Sequence, residues 1–429
     1  MFSRTQLLSL GFADSQQATE AVARLGLSAP ELLPMIGRTA EPQRALDGLL
    51  ALLDIAPDAQ ELLATLAADQ ATAMRILSVL GASEALGAHL LRHPAHWREL
   101  VGEEQAVTRP TAAAMRAGLV AAVRGKDPVA GADALRVEYR RQLLRLAARD
   151  LADDLALDDA AAELSDLAAG TLEAALVLAR AKVGEASEGC RLAVVAMGKC
   201  GGHELNYVSD VDVLFIAQAV EGHSEQAALK AATRVASTMM QICSDQTAEG
   251  TIWPVDPNLR PEGRSGPLVR TLASYCGYYE RWAKTWEFQA LLKARPVAGD
   301  IDLGNDFIEM TNPMVWTAVE RDGFVEEVQA MRRRVLDNIP ADEMSRQLKL
   351  GPGGLRDVEF AVQLLQMVHG RTDEKVRPPT TLSALARLTE GGYVGRADGQ
   401  SLHEAYSFLR TMEHRIQMFQ LRRTHVVPS

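Results

Sequence analysis

A chain of 429 residues is long enough for two to three domains and needs no disulfide or metal staple to hold a core. Lys and Arg total 45 against 56 Asp and Glu, a net charge of −11 that argues against a nonspecific nucleic-acid or membrane-surface binder, since both need a basic face. The four cysteines (Cys190, Cys200, Cys243, Cys276) form no CxxC pair, no signal-peptide core opens the chain, and no window approaches the ~18 apolar residues of a membrane span. Free thiols in a reducing cytoplasm are the expectation.

Residues 1 to about 130 read as short helices. Ala and Leu recur at helical spacing in "EPQRALDGLLALLDI" and "DAQELLATLAADQATAMRILSVLG", with prolines between segments and Ser or Asp at several starts. His93 and His96 flank a proline and read as surface or packing residues. Residues 131–185 predict two longer helices. The first places Arg141, Arg145 and Arg149 on one face and Arg136 and Arg140 in a second row. A charged stripe is usually a solvated face, and a phosphate-facing role is the alternative.

The pattern then changes. "RLAVVAMG" and "VDVLFIAQ" are Val- and Ile-rich runs bounded by Gly and Ser, and read as buried strands. "EGTIWPVDPNLRP" predicts a third strand, confined to an edge by Pro254 and Pro257. From residue 271 onward the chain is mostly helical; Trp282, Trp286, Tyr278 and Tyr279 read as core, and Leu402, Tyr406, Leu409, Met412, Ile416 and Phe419 form one stripe of a final helix. The whole reads as an α+β, predominantly helical protein. A mixed-sheet core (131–295) lies between an N-terminal helical region (1–130) and a C-terminal helical bundle (296–429).

Chemistry concentrates in the mixed core. Side chains alternate along a strand, so Asp210 and Asp212 share a face while Val211, Val213 and Phe215 share the other. Two adjacent carboxylates repel unless a cation relieves them. Mg²⁺ favours one or two carboxylates plus substrate phosphates, so the pair predicts a metal that also holds a phosphorylated ligand. Gly198, Lys199, Gly201, Gly202 and Ser209, in "GKCGGHELNYVS", fit a phosphate-approaching loop. A third carboxylate would complete a two-metal site for displacement at phosphorus. Asp256 is the candidate and Glu262 the alternative; the plain reading of Asp256 is an Asp-Pro turn residue. Arg260 and Arg264 supply guanidinium groups for phosphate oxygens.

Five motifs occur in a telling order: "MGKCGGHELNYVSDVD" (197–212), "VDPNLRPEGRSGPL" (255–268), "WEFQALLKAR" (286–295), "KLGPGGLRDVEF" (349–360) and "FLRTMEHRIQ" (408–417). This series resembles the bifunctional glutamine synthetase adenylyltransferase/adenylyl-removing family, over residues 135 to 425. The resemblance implies a nucleotidyltransferase-type core with Asp210, Asp212 and Asp256 as metal ligands for two Mg²⁺ or Mn²⁺ ions. It also implies Gly198, Lys199, Gly201, Gly202, Ser209, Arg260 and Lys293 around phosphate and nucleotide. Asn258 departs from the arginine usual in that segment, and Cys200 from an aliphatic residue. The family carries two related halves. One motif copy behind a helical N-terminal region makes the adenylyl-removing half the expectation: phosphorolysis of tyrosyl-AMP on glutamine synthetase to ADP. AMP transfer from ATP on the same site, or an inactive nucleotide-sensing domain, are the alternatives. Inorganic phosphate, ADP or ATP, and the PII signalling protein are the other partners implied. His203 beside the glycine loop reads as an exposed loop residue. "GPGGLRDVEF" reads as a helix start with acidic residues in its first turn, or as the edge of the cleft.

Overall fold

The computed structural model describes residues 4–12, 15–102, 108–337 and 339–428, and these fall into two compact units. The first comprises Met1–Thr111, Tyr139–Glu163 and Arg415–Arg423, the second Ala112–Glu138, Leu164–His414 and Thr424–Ser429. These units do not follow the three consecutive domains read from the sequence. Their borders fall inside the helices Pro128–Leu151, Leu157–Val183 and Arg396–Met418, where composition does not change and no linker marks a boundary.

The first unit is helical. Helices Pro42–Ile55 and Gln70–Ala82 bury Leu46, Leu49, Ile76 and Leu77 completely, as their spacing requires. Asp69 caps the second, its carboxylate accepting from the backbone N–H groups of Ala71 and Thr72. The arginine rows prove structural. Arg149 is buried against Glu163, and Arg141 pairs with Glu99 at 2.6 Å.

The second unit holds Arg136, which donates to the carbonyls of Ala132, Ile242 and Gly250 and so faces no ligand. Its sheet comprises β1 (Cys190–Ala196), β2 (Val211–Ala219), β3 (Val255–Asp256), β4 (Val269–Arg270) and β5 (Arg295–Gly299). The order is β3-β2-β1-β5, with β4 also on β2. β1 runs antiparallel to β2 and β5, while β3 and β4 run parallel to β2, so the sheet is mixed. The third predicted strand shrinks to the two residues of β3, because Pro254 and Pro257 flank it and lack ladder donors. It does lie at the edge. β4 and β5 sit in segments that carry no strand alternation, β4 just after a loop and β5 just after a helix.

Ala193, Val195 and Met197 with Leu214 and Ile216 form one sheet face, packed on Tyr275, Tyr279 and Phe307. Asp212 has the same parity as Leu214 and Ile216, so it continues that apolar row at its open end. Trp282 leaves the predicted aromatic core: it is 73% exposed, and Tyr275 of the same helical segment is fully buried in its place.

Candidate active site

The site is built on the first two residues of β2 and the residue before it. Asp210 precedes the strand, Val211 pairs with Val255, and Asp212 stands in register with Asp256 on the parallel β3. A parallel neighbour at strand spacing (about 4.8 Å) brings the third carboxylate beside the first two. Asp256 is held by the Asn258 backbone N–H, which donates to its Oδ1 at 2.8 Å; it is a turn residue and a site residue at once. The three carboxylates feel each other. Burial first, then Asp256 and Asp210, raise the Asp212 carboxyl to about 6, against the pull of Lys349 and Arg356.

The glycine loop seals the back of this cluster. Met197 N–H donates to Asp212 O at 2.8 Å, and residues 198–201 form a single helical turn. Gly198 has φ of +53°, and a Cβ there would lie 2.7 Å from Asp212 Oδ2. Only glycine lets the turn press against that carboxylate. Gly201 serves packing instead: a Cβ would fall 1.9 Å from the Lys293 carbonyl oxygen. Gly202 is similarly tight, against the Lys293 side chain and the Pro379 carbonyl. Ser209 lies in the loop, partly buried, directly before Asp210.

Both lysines drawn to phosphate by the sequence reading point elsewhere. Lys199 Nζ lies 3.0 Å from Glu413 and 3.3 Å from Asn206 Oδ1. Burial pushes this ammonium down to about 7, partly countered by Glu413. Burial alone would raise the Glu413 carboxyl, but Lys199 and Arg410 hold it well below its ordinary range. Lys293 is buried with its ammonium on Glu204 and on Thr381 Oγ1 at 3.2 Å. Arg410 completes the frame, donating to the Glu204 carbonyl at 2.7 Å and to Glu413. These pairs tie the loop after β1 to the helices Thr381–Glu390 and Arg396–Met418.

Arg260 is also a frame residue. It is buried and donates to the carbonyls of Pro257, Arg264 and Gly266, which closes the loop that carries Asp256. Arg264 is exposed. Glu262, the alternative third ligand, has φ of +62° and pairs with Arg270, away from the aspartates. His203 is partly buried, its Nδ1 3.6 Å from Asp166.

Two cations lie near enough to draw the Asp212 carboxyl down, Lys349 and Arg356, and Arg356 lines the same cavity as Asp212. A tight turn brings them together: Leu355 N–H donates to Leu348 O and Arg356 N–H to Lys349 O, at 2.9 and 3.0 Å. Gly351 and Gly354 allow this, since a Cβ on either would lie 2.6 Å from a backbone oxygen. Arg332 clamps the turn through the carbonyls of Leu350 and Gly351 and the carboxylate of Asp357. Arg356 Nε has no hydrogen-bond partner. Both cations lie within the quoted "KLGPGGLRDVEF", so the signal was present, but nothing in the spacing said that they would reach the aspartates.

Among the described residues, no three His, Cys, Asp or Glu side chains close into a ready-made metal cage. The donor set still suits Mg²⁺, which takes few carboxylates and completes its shell with water and phosphate oxygens. The mutual repulsion at Asp212 is what a divalent cation would relieve.

A mixed sheet with an Asp pair at one strand end, a third Asp in parallel register and helices around it defines a nucleotidyltransferase-type core. The glutamate-ammonia ligase adenylyltransferase profile matches residues 73–310, more than half of the chain, and the chain belongs to that family. The GlnD PII-uridylyltransferase profile matches residues 329–429. Curated relatives from Streptomyces avermitilis, Mycolicibacterium smegmatis and Mycobacterium tuberculosis are 58%, 51% and 48% identical over 100%, 93% and 98% of this chain. Each is named bifunctional glutamine synthetase adenylyltransferase/adenylyl-removing enzyme. The chain covers 43%, 40% and 42% of them, so it spans less than half their length.

Proposed function

We propose that this chain removes AMP from an adenylylated tyrosine of glutamine synthetase by phosphorolysis, with inorganic phosphate as nucleophile and ADP as product. The observation that carries this reading is the cluster of Asp210, Asp212 and Asp256, with Asp212 and Asp256 in register on parallel strands and Arg356 in the same cavity as Asp212. Phosphate and phosphodiester are both anions, so charge neutralisation is the main barrier to their reaction. Asp210, Asp212 and Asp256 would hold two Mg²⁺ or Mn²⁺ ions, which supply charge neutralisation at the phosphorus and its oxygens. Arg356, in the same cavity as Asp212, and Lys349, which the turn brings beside it, would bind the attacking phosphate. Gly198 holds Asp212 in place, and the Lys199–Glu413–Arg410 frame keeps the loop rigid.

Inorganic phosphate is already anionic near pH 7, so its attack needs no proton acceptor in the cleft. A PII-type protein remains the expected regulator on family grounds.

The test is turnover. The chain is incubated with adenylylated glutamine synthetase, phosphate and Mg²⁺, and ADP release is followed. ADP should appear in proportion to deadenylylated subunits, and the double variant Asp210→Asn/Asp212→Asn should release none. Label passing from ATP to unmodified glutamine synthetase, with no ADP release in the first assay, would establish transfer instead.

A further inference from the structure

The charged groups of the site stand on segments far apart in the chain. The glycine turn 198–201 presses on Asp212, and Lys349 follows Lys199 only after 150 residues. Carboxylates and cations must keep one spacing if phosphate is to meet the phosphorus, since a misplacement of about 1 Å can cost about a hundredfold. A third segment touches both turns.

Residues 425–427 lie antiparallel beside 346–348. Leu348 N–H donates to His425 O at 2.8 Å, Val427 N–H donates to Arg346 O at 3.0 Å, and Gln347 bridges Val426. The Arg346 guanidinium also donates to the Val427 carbonyl at 3.0 Å. Lys349 is the next residue, so this short ladder is the foot of the turn that carries Lys349 and Arg356. The His425 side chain reaches a different element. Its Nδ1 stands 2.8 Å from Oε1 of Glu413, on the helix Arg396–Met418. The contact is close and bent: by angle, neither ring nitrogen makes an aligned hydrogen bond. Glu413 is fully buried, and the same carboxylate holds Lys199 at 3.0 Å and pairs with Arg410. Lys199 belongs to the glycine turn. One buried carboxylate therefore joins that turn to His425, and the His425 backbone joins it to the cation turn. The charges agree. Burial is the first influence on the ionisation of Asp212, Lys199, Glu359 and His425, and the Lys349 ammonium acts on all four. All of these residues belong to the second unit.

We propose that His425 is a positioning residue for the phosphorus site. It ties the glycine turn, through Glu413, to the turn that carries Lys349 and Arg356, and so fixes the cations relative to the carboxylates. The proposal rests on the reading that those cations bind the attacking phosphate.

Two substitutions in the full chain test it. His425→Leu removes the polar contact and keeps the ladder, which is made by backbone. His425→Asn puts an amide N–H near the place of Nδ1 and keeps the contact with Glu413. Hydrogen exchange reads the tie itself, independently of turnover. In His425→Leu the amides of Gly201, Gly202 and Glu204, and those of Leu355 and Arg356, should all exchange at least threefold faster. In His425→Asn both sets should match the wild type. Steady-state phosphorolysis reads the consequence. His425→Leu should raise the KM for phosphate at least tenfold and leave the KM for adenylylated glutamine synthetase within twofold, and His425→Asn should restore the phosphate KM to within threefold. Mere loss of folded enzyme would lower kcat and leave both KM values alone. Should His425→Leu not fold, His425→Gln carries the same expectation, because its amide stands one bond farther out than Nδ1. Faster exchange confined to 346–356, with 201–204 unchanged, would overturn the tie. So would an unchanged phosphate KM, or an asparagine variant no better than leucine. Any of these alongside ADP release by the wild type leaves the phosphorolysis reading standing. If the wild type releases no ADP, that reading fails, and the exchange measurement alone decides the tie.

Discussion

Replacing Asp212 by Asn should stabilise the metal-free protein while removing its capacity to bind metal. The side chain keeps its shape and loses the charge that Asp210 and Asp256 repel. That repulsion, with burial, lifts the Asp212 carboxyl from an ordinary 3.8 to about 6. Each tenfold step in the proton equilibrium is about 1.4 kcal/mol, so the full penalty on the ionised form is about 3 kcal/mol. Solvent at this partly buried group reduces it to about 1–2 kcal/mol. In a chain of this size each kcal/mol moves Tm by about 1 °C, so the variant should melt about 1–2 °C higher at pH 8 in EDTA. The sign follows from the direction of the shift. The folded carboxyl titrates above the unfolded one, so the penalty is full above about 6 and falls away as pH drops toward 4. The advantage of the variant should therefore shrink between pH 8 and pH 5. Saturating Mn²⁺ should raise the Tm of the wild type and leave the variant where it was. A variant that melts below the wild type in EDTA at pH 8, or a gain that does not change with pH, would refute the argument.

Other perturbations separate the site from its frame. Gly198→Ala forces a side chain into left-handed backbone and against Asp212 Oδ2, at a cost of about 1–2 kcal/mol; ADP release should fall at least a hundredfold while circular dichroism stays native. Arg356→Gln should raise the KM for phosphate at least tenfold and lower Tm by about 1–2 °C, since it also removes the 3.8 Å pair with the buried Glu359 and the contact with the Phe360 ring. Lys199→Met leaves Glu413 short of one cation in a buried frame and should cost about 3 kcal/mol of stability, read from urea unfolding; an activity loss without destabilisation would return Lys199 to the phosphate. Gly201→Ala places a Cβ on the Lys293 carbonyl and should yield little folded protein on expression.

Much of this protein was legible in its residues. The alternation of β2 put Asp210 and Asp212 on one face, the apolar runs marked β1 and β2, and Pro254 with Pro257 confined β3 to an edge. Helical spacing in the outer regions needed no tertiary information, because amphipathic period is a local property of the chain. Charged residues were harder to read. Lys199, Lys293, Arg260 and the Arg136–Arg149 rows all looked available to a phosphate, and the structure uses most of them to satisfy buried carboxylates and carbonyls. A cation's partner is set by what packs against it, which spacing does not encode. Lys349 and Arg356 made the opposite journey, from a plausible helix start to positions whose charge reaches Asp212. They arrive there because Gly351 and Gly354 fold their segment back on itself and Arg332 clamps the turn. The sequence by itself therefore determined the carboxylate pair, the strands that carry it and the glycine loop behind it, all of which depend on neighbours one to fifteen residues away. Only the tertiary structure decided which cations come near that pair and that Asp256 stands in register beside Asp212. Those pairings join segments separated by tens to more than a hundred residues, and packing alone brings them together.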